Sequence, residues 1–217
     1  LAKLYEDGLY DPYTEKELVN VLSNTMPLTP RYCRLSRIIR DIPSNEIVAG
    51  NKKTNLRQIV EGYILKSGRK LNDIRSREIK NERVSWDNLV MEIIRYPSSI
   101  GTEYFISYRT KDTDRICGFL RLAIPNWVYR RKNYIHELRD TAIIREVHVY
   151  GKVMSLDTES SGESQHLGLG KKLIEKAEEI SKRNGFKYIS VISAIGTREY
   201  YKKRGFVLGE LYMKKAI

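Results

Sequence analysis

Apolar positions recur at helical spacing through the first third of the chain and alternate with polar ones further on. Residues 1–24 read as helical with breaks. Asp11-Pro12 marks a turn, and Thr14 with Glu17 has the spacing of a capping box ahead of Leu18, Val19, Val21 and Leu22. Pro27 and Pro30 stop that helix. Residues 31–42 set Tyr32, Leu35, Ile38 and Ile39 against Arg31, Arg34, Arg37 and Arg40, a spacing of three that suits one face of a helix or one edge of an extended segment. Residues 51–65 predict a helix with Leu56, Ile59, Val60 and Ile64 on one face. From about residue 88 the period falls to two. Strands are expected at 89–95, 103–109, 116–123, 142–150, 188–193 and 207–213, with Lys111, Asp112 and Asp114 forming a hairpin turn. Residues 168–183 form a strongly amphipathic helix closed by Asn184-Gly185, and 197–203 a short one. Residues 151–166, rich in Ser, Glu, Gly and Asp, read as a mobile loop.

This pattern divides the 217 residues into a helical, basic segment at 1–87 and an α+β domain at 88–217. The first segment has too few apolar positions for an independent core. Leu1 and the residues after it read as mid-protein sequence, so a longer parent chain is expected, and these residues do not have the pattern of a signal peptide. No apolar run approaches the ~18 residues of a membrane-spanning helix. Two isolated cysteines, Cys33 and Cys117, exclude a disulfide scaffold and a four-cysteine zinc site within this chain. The expected compartment is the reducing cytoplasm, and no metal site is expected.

Charge changes the picture. The chain carries 39 Lys+Arg against 27 Asp+Glu. The excess is concentrated in residues 27–83, with 14 basic and 6 acidic groups, and in 171–217, with 12 and 5. Two such segments point to a polyanionic partner. Arg34, Arg37, Arg40, Lys52, Lys53, Arg75 and Arg77 are the candidate phosphate contacts. Trp86, Trp127, Tyr129 and Tyr134, interleaved with Arg130, Arg131 and Lys132, either stack nucleobases or are half core.

The candidate chemistry lies in Gln165-His166-Leu167-Gly168-Leu169-Gly170, between a strand with its loop and the long helix. Glycines let backbone N–H groups approach a ligand, and a helix start adds free donors and positive potential. Together these suit a pyrophosphate. The run is neither a dinucleotide fingerprint nor a P-loop, because a long polar loop precedes it and no Gly-Lys-Ser/Thr follows. Lys171 and Lys172 open the helix and can pair with phosphates or be a solvated face. Glu146 and His148 share strand parity, so both project to one face, as bases or as structural residues.

That order of elements resembles the GNAT family of N-acetyltransferases, whose motif Gln/Arg-x-x-Gly-x-Gly/Ala is matched by Gln165, Gly168 and Gly170. The resemblance implies an α+β GNAT fold, with a mixed, splayed central sheet flanked by helices, carrying a basic helical linker at its N-terminus. It implies acetyl-CoA in the wedge of the sheet, with pantetheine on the strand at Val147–Val149. Glu146, Val147, His148, Val149, Gln165, Gly168, Leu169, Gly170, Lys171, Lys172 and Tyr201 would then contact the cofactor. A Tyr on the short helix suits the leaving thiolate, and of Tyr200 and Tyr201 the second is preferred. Arg198 and Lys203 can serve either the adenosine phosphate or RNA.

Three runs, Arg145–Gly151, Gln165–Gly170 and Gly196–Phe206, resemble more narrowly the elongator protein 3 family, the catalytic subunits of Elongator. That resemblance spans essentially the whole chain. It implies an acyltransferase that helps build a carboxymethyl group on C5 of the tRNA wobble uridine, with acetyl-CoA consumed when tRNA binds. S-adenosylmethionine and an iron–sulfur cluster would belong to a domain not in this chain. Expected partners are tRNA, acetyl-CoA, and other Elongator subunits or a second copy, with no membrane. A protein lysine acetyltransferase and a catalytically silent tRNA-binding module are the alternatives.

Overall fold

A computed structural model describes residues 1–39, 42–80, 82, 84–150 and 168–217. The chain forms two compact units, Leu1–Arg77 and Glu78–Ile217. Residues 78–87 belong with the second unit: Glu78 bridges Ile116 in parallel, and the Ile79 N–H donates to the Ile116 carbonyl at 3.0 Å.

The first unit holds helices α1 (Ala2–Glu6), α2 (Glu15–Thr25), α3 (Leu56–Lys66) and the short α4 (Ile74–Arg77). The capping box forms. The Glu17 N–H donates to Thr14 Oγ1, and the Thr14 N–H donates to Glu17 Oε2 at 2.8 Å. Met26, Leu56, Val60 and Ile64 make a small core, against which Leu35, Ile38 and Ile39 pack. The alternating Arg/apolar segment is therefore ordered by its apolar positions without becoming helix or strand. Arg57 ties it down, donating to the Leu35 carbonyl at 2.8 Å and pairing with Glu61 and with fully buried Asp73.

The second unit is a seven-stranded sheet. β1 (Leu89–Ser98), β2 (Gly101–Thr110) and β3 (Ile116–Pro125) form an antiparallel meander, followed by α5 (Trp127–Lys132) and β4 (Thr141–Val149). Then come α6 (Leu169–Arg183), β5 (Tyr188–Val191), α7 (Arg198–Lys202), β6 (Val207–Leu208) and β7 (Met213–Ala216). The order is β1-β2-β3-β4-β5-β7-β6, and the pair β4–β5 is parallel. A parallel pair needs a crossover, which α6 supplies. Leu173, Ile174, Ala177 and Ile180 of α6 pack on Ile106, Leu120, Leu122, Ile144 and Ile189 of the sheet. Each of these Leu and Ile side chains contributes about 1.5–3 kcal/mol. The expected last strand is split at Gly209, where a turn forms. Glu137 Oε2 accepts from the Leu211 and Tyr212 N–H groups and fixes that turn.

Two departures from regular pairing shape the site. The β4–β5 ladder ends at Ile144↔Val191, while β4 continues to Val149 along β3. Among the described residues, 145–149 thus keep one strand edge without a partner, roughly 16 Å long. The register against β3 also shifts between Arg121 and Leu122, so that Ile144 and Glu146 face consecutive partners and Arg145 is the extra residue. A bulge of this kind reverses which residues face which side.

Candidate acyl-donor site

The cavity of about 460 Å³ lies where β4 leaves β5 and α6 begins. Its walls are Val147 and Val149 of β4, Gly168–Lys171 at the start of α6, and Thr197, Tyr200, Tyr201 and Arg204 around α7. Gly168 caps α6 with φ 65°, a left-handed conformation that glycine adopts freely, and among the described residues no side chain hydrogen-bonds to the helix end. The N–H groups of Leu169, Gly170 and Lys171 lie in the first turn and have no intrahelical acceptor. Gly170 is closely approached: a Cβ built there would overlap the hydroxyl at the far end of the Tyr200 side chain and lie 3.7 Å from Val149 Cγ2.

The two tyrosines are held differently. Tyr201 is 7% exposed and packs edge-on against Tyr200 and Phe206 at ring distances of 5.3 and 5.6 Å. Burial, then the neighbouring Tyr200, pushes its hydroxyl up to about 12, with Arg204 opposing weakly. Tyr200 is half-buried, and burial raises it too. The Arg204 guanidinium stacks on the Tyr200 ring at 3.4 Å and donates to the Tyr200 carbonyl at 2.6 Å. Both hydroxyls are therefore neutral donors at physiological pH. Arg204 and Thr197 escaped the sequence reading, although the i,i+4 spacing of Tyr200 and Arg204 was available as a signal.

Glu146 and His148 do share a face, but it is not the cavity's. The bulge turns Val147 and Val149 toward α6 and sends Arg145, Glu146 and His148 to the opposite side of the sheet. There Glu146 pairs with Arg121 Nε at 3.0 Å, and His148 stacks on Phe119 at 5.9 Å and meets Tyr150 at 4.3 Å. This corrects the expectation that either side chain serves the cavity as a base. Their backbones remain part of the parted edge. On the same face Arg145 Nη1 pairs at 2.9 Å with Glu103, a carboxylate 1% exposed whose Oε2 has no partner.

The remaining candidates scatter. Leu169 is buried beneath the helix start, and Lys171 is exposed and pairs loosely with Glu175 at 3.7 Å. Lys172 turns away to lie 4.9 Å over the Trp86 ring. Gln165 and the expected loop at 151–166 lie outside the described residues. In the first unit Arg34, Arg37, Lys52 and Arg75 are exposed, and Lys53 pairs with Glu15 at 2.7 Å. Arg77 is a correction: it is 4% exposed and spends its guanidinium on the carbonyls of Asn72 and Arg31, which removes it from any phosphate surface. Arg40 is outside the described residues. Among the described residues no helix is long and apolar enough to cross a membrane, and no group of three His, Cys, Asp or Glu could hold a metal.

Residues 1–66 match the Radical_SAM C-terminal domain, and residues 71–206 match the Acetyltransferase (GNAT) family. The chain is 38% identical to a tRNA uridine(34) acetyltransferase of Methanocaldococcus jannaschii, over 99% of this chain and 40% of that protein. It is 35% identical to Elongator complex protein 3 of Saccharomyces cerevisiae, over 100% and 40% of the two. The solved structure of archaeal Methanocaldococcus infernus Elp3 with an N-terminal deletion superposes with a TM-score of 0.79 at 34% identity, covering 99% of this chain and 51% of that one. The chain spans about two fifths of the length of the curated relatives it matches. A splayed sheet with a glycine-opened helix, the family match over 71–206 and these relatives agree: the chain belongs to the acetyltransferase (GNAT) family, and its sequence relatives are the Elongator complex protein 3 and tRNA uridine(34) acetyltransferase proteins.

Proposed function

We propose that this chain is the acetyl-CoA-binding acyltransferase part of an enzyme that modifies the tRNA wobble uridine, supplying the two-carbon unit of a C5-carboxymethyl group and consuming its donor when tRNA binds. The observation that carries this reading is the edge of β4 that has no strand partner among the described residues and lines one cavity with the glycine-opened start of α6. Acetyl-CoA fits such a cleft: its diphosphate suits the first-turn N–H groups, and its amide-bearing arm can pair with a strand edge. Bound there, it supplies an activated acyl thioester. Lys171 adds positive charge at the diphosphate end. Tyr201 keeps its proton and donates a hydrogen bond where thiolate charge develops, while Arg204 fixes the ring of Tyr200 beside it. The names of the relatives and the exposed cations of the first unit favour tRNA as the acceptor side. Radical chemistry, with S-adenosylmethionine and an iron–sulfur cluster, falls to the portion of the relatives that this chain does not span.

The test is mass measurement of coenzyme A released from acetyl-CoA with and without tRNA. Release should rise with tRNA. Gly170→Glu should lose acetyl-CoA binding by calorimetry and keep its circular dichroism spectrum. Unchanged affinity in that variant sinks the site. Release indifferent to tRNA, with acetyl transfer to a lysine peptide instead, would replace the acceptor.

A further inference from the structure

The excursion between β3 and β4 holds rings and cations where a packed domain has no use for them. Trp127 is 68% exposed and Tyr134 is 86% exposed. Neither is loosely held. Asn126 Oδ1 accepts from the Val128 and Tyr129 N–H groups and fixes the start of α5, where Trp127 sits. Asn133 Oδ1 accepts from the Ile135 N–H, and Arg139 donates to the Asn133 carbonyl at 2.8 Å, so the turn that carries Tyr134 outward is braced on both sides.

The local charge is positive because its carboxylates are already used. Residues 126–140 contain four basic and two acidic groups. Glu137 is turned inward onto the Leu211 and Tyr212 N–H groups, and Asp140 is held at 2.8 Å by Arg130, itself stacked 4.3 Å over Phe186. Arg131 keeps a loose 3.8 Å contact with Asp140, while the side chains of Lys132 and Arg139 reach the surface. Tyr188 lies beside Thr141 in the sheet register and carries Lys214 at 4.5 Å over its ring, which extends the same pairing of ring and cation.

We propose that this excursion is a contact surface for single-stranded RNA, with Trp127 and Tyr134 stacking unpaired bases and Arg131, Lys132 and Arg139 meeting phosphates. It rests on the reading that the chain acts with tRNA. Exposed rings on a braced backbone gain from an unstacked base face, which a duplex does not offer, and interleaved cations match the backbone between bases. The surface sits at the Thr141 end of β4, roughly 26 Å of strand from Val149 and the cavity, so it can hold RNA without touching the donor site.

The experiment uses the whole chain with Trp86→Phe, which leaves Trp127 as its one tryptophan. Emission is followed during titration with a stem–loop RNA and with a blunt duplex of equal length. Quenching is expected with the stem–loop only. In the wild-type background, Trp127→Ala and Tyr134→Ala should each weaken stem–loop binding about 5- to 150-fold and leave acetyl-CoA affinity unchanged. Melting temperature checks that the fold survives. Arg131→Gln with Lys132→Gln should weaken both RNAs and flatten the salt dependence by roughly 1.4–1.8 log units per log salt. Intact stem–loop binding in the Trp127→Ala/Tyr134→Ala chain overturns the proposal, as do equal losses on duplex and stem–loop, or a loss of self-association in place of RNA binding. If coenzyme A release still responds to tRNA in that double variant, only this surface fails. If the wild-type chain binds acetyl-CoA but neither tRNA nor stem–loop, the tRNA reading falls with it.

Discussion

Tyr201 shows how an environment selects a role. A hydroxyl near 12 lies roughly 3–4 pKa units above a thiol at ~8.5, so full transfer of its proton to a thiolate would run uphill by on the order of 5 kcal/mol. Donating a hydrogen bond to the developing charge has no such obstacle, and one donor of that kind is worth about 10²–10³ in rate. Tyr201→Phe should therefore slow tRNA-triggered coenzyme A release by about that factor with little change in melting temperature. Tyr200→Phe, measured in parallel, should retain most activity. The opposite pattern would give the role to Tyr200. No loss of rate from Tyr201 ionisation is expected between pH 7 and about 10. Cys117 illustrates the same burial away from the cavity. It is fully buried, and desolvation, with Glu82 adding to it, pushes its thiol up to about 12. A thiol reagent should modify one cysteine of the native chain, half-buried Cys33, and both after unfolding. Rapid modification of two in the native state would contradict this packing. Both groups are held protonated in the folded state. Their contribution to stability is complete below the unfolded values near 9 and 10, and is lost as pH climbs from there through about 12.

At the scale of elements, the long helix was legible because its apolar stripe at 173, 174, 177 and 180 is fixed by the 3.6 period alone. The capping box at Thr14 was equally legible, since it is a local exchange of two hydrogen bonds. The facing of β4 was not. Parity correctly grouped Glu146 with His148, but the bulge at Arg145 shifts the phase, and a bulge is decided by pairing with β3 rather than by the strand's own residues. Helix α5 was missed for a similar reason: it is short, exposed and held by Asn126 rather than by an apolar face. Arg77 was misjudged because no sequence period distinguishes an arginine that meets solvent from one that meets carbonyls. Removing the α6 stripe should cost heavily: Leu173→Ala, at a fully buried position, is expected to destabilise by about 2–5 kcal/mol in urea unfolding. Thr14→Ala should cost about 1 kcal/mol, confined to α2. Equal effects from the two would mean that α6 is not central to the core.

For the whole molecule, the positive charge was visible from composition, whereas its availability was not. Lys53 and Arg77 are engaged within the first unit, and Arg34, Arg37, Lys52 and Arg75 remain exposed. Binding of tRNA through these cations releases counterions, so log affinity should fall with log salt by roughly 0.7–0.9 for each phosphate met. Arg34→Glu with Arg37→Glu should weaken tRNA binding and reduce that slope, while acetyl-CoA affinity holds. A salt-insensitive complex would place tRNA elsewhere.

The parting of β4 from β5 also makes donor binding observable without any reaction. Backbone amides of residues 145–149 that point away from β3 have no strand partner among the described residues, whereas those pointing toward β3 lie in its ladder. Deuterium should therefore enter alternate amides of this segment quickly. A donor arm laid along the edge would slow those positions first and leave the β3-facing ones as they were. Alternate protection in so short a stretch would report both occupancy and the direction in which the donor lies.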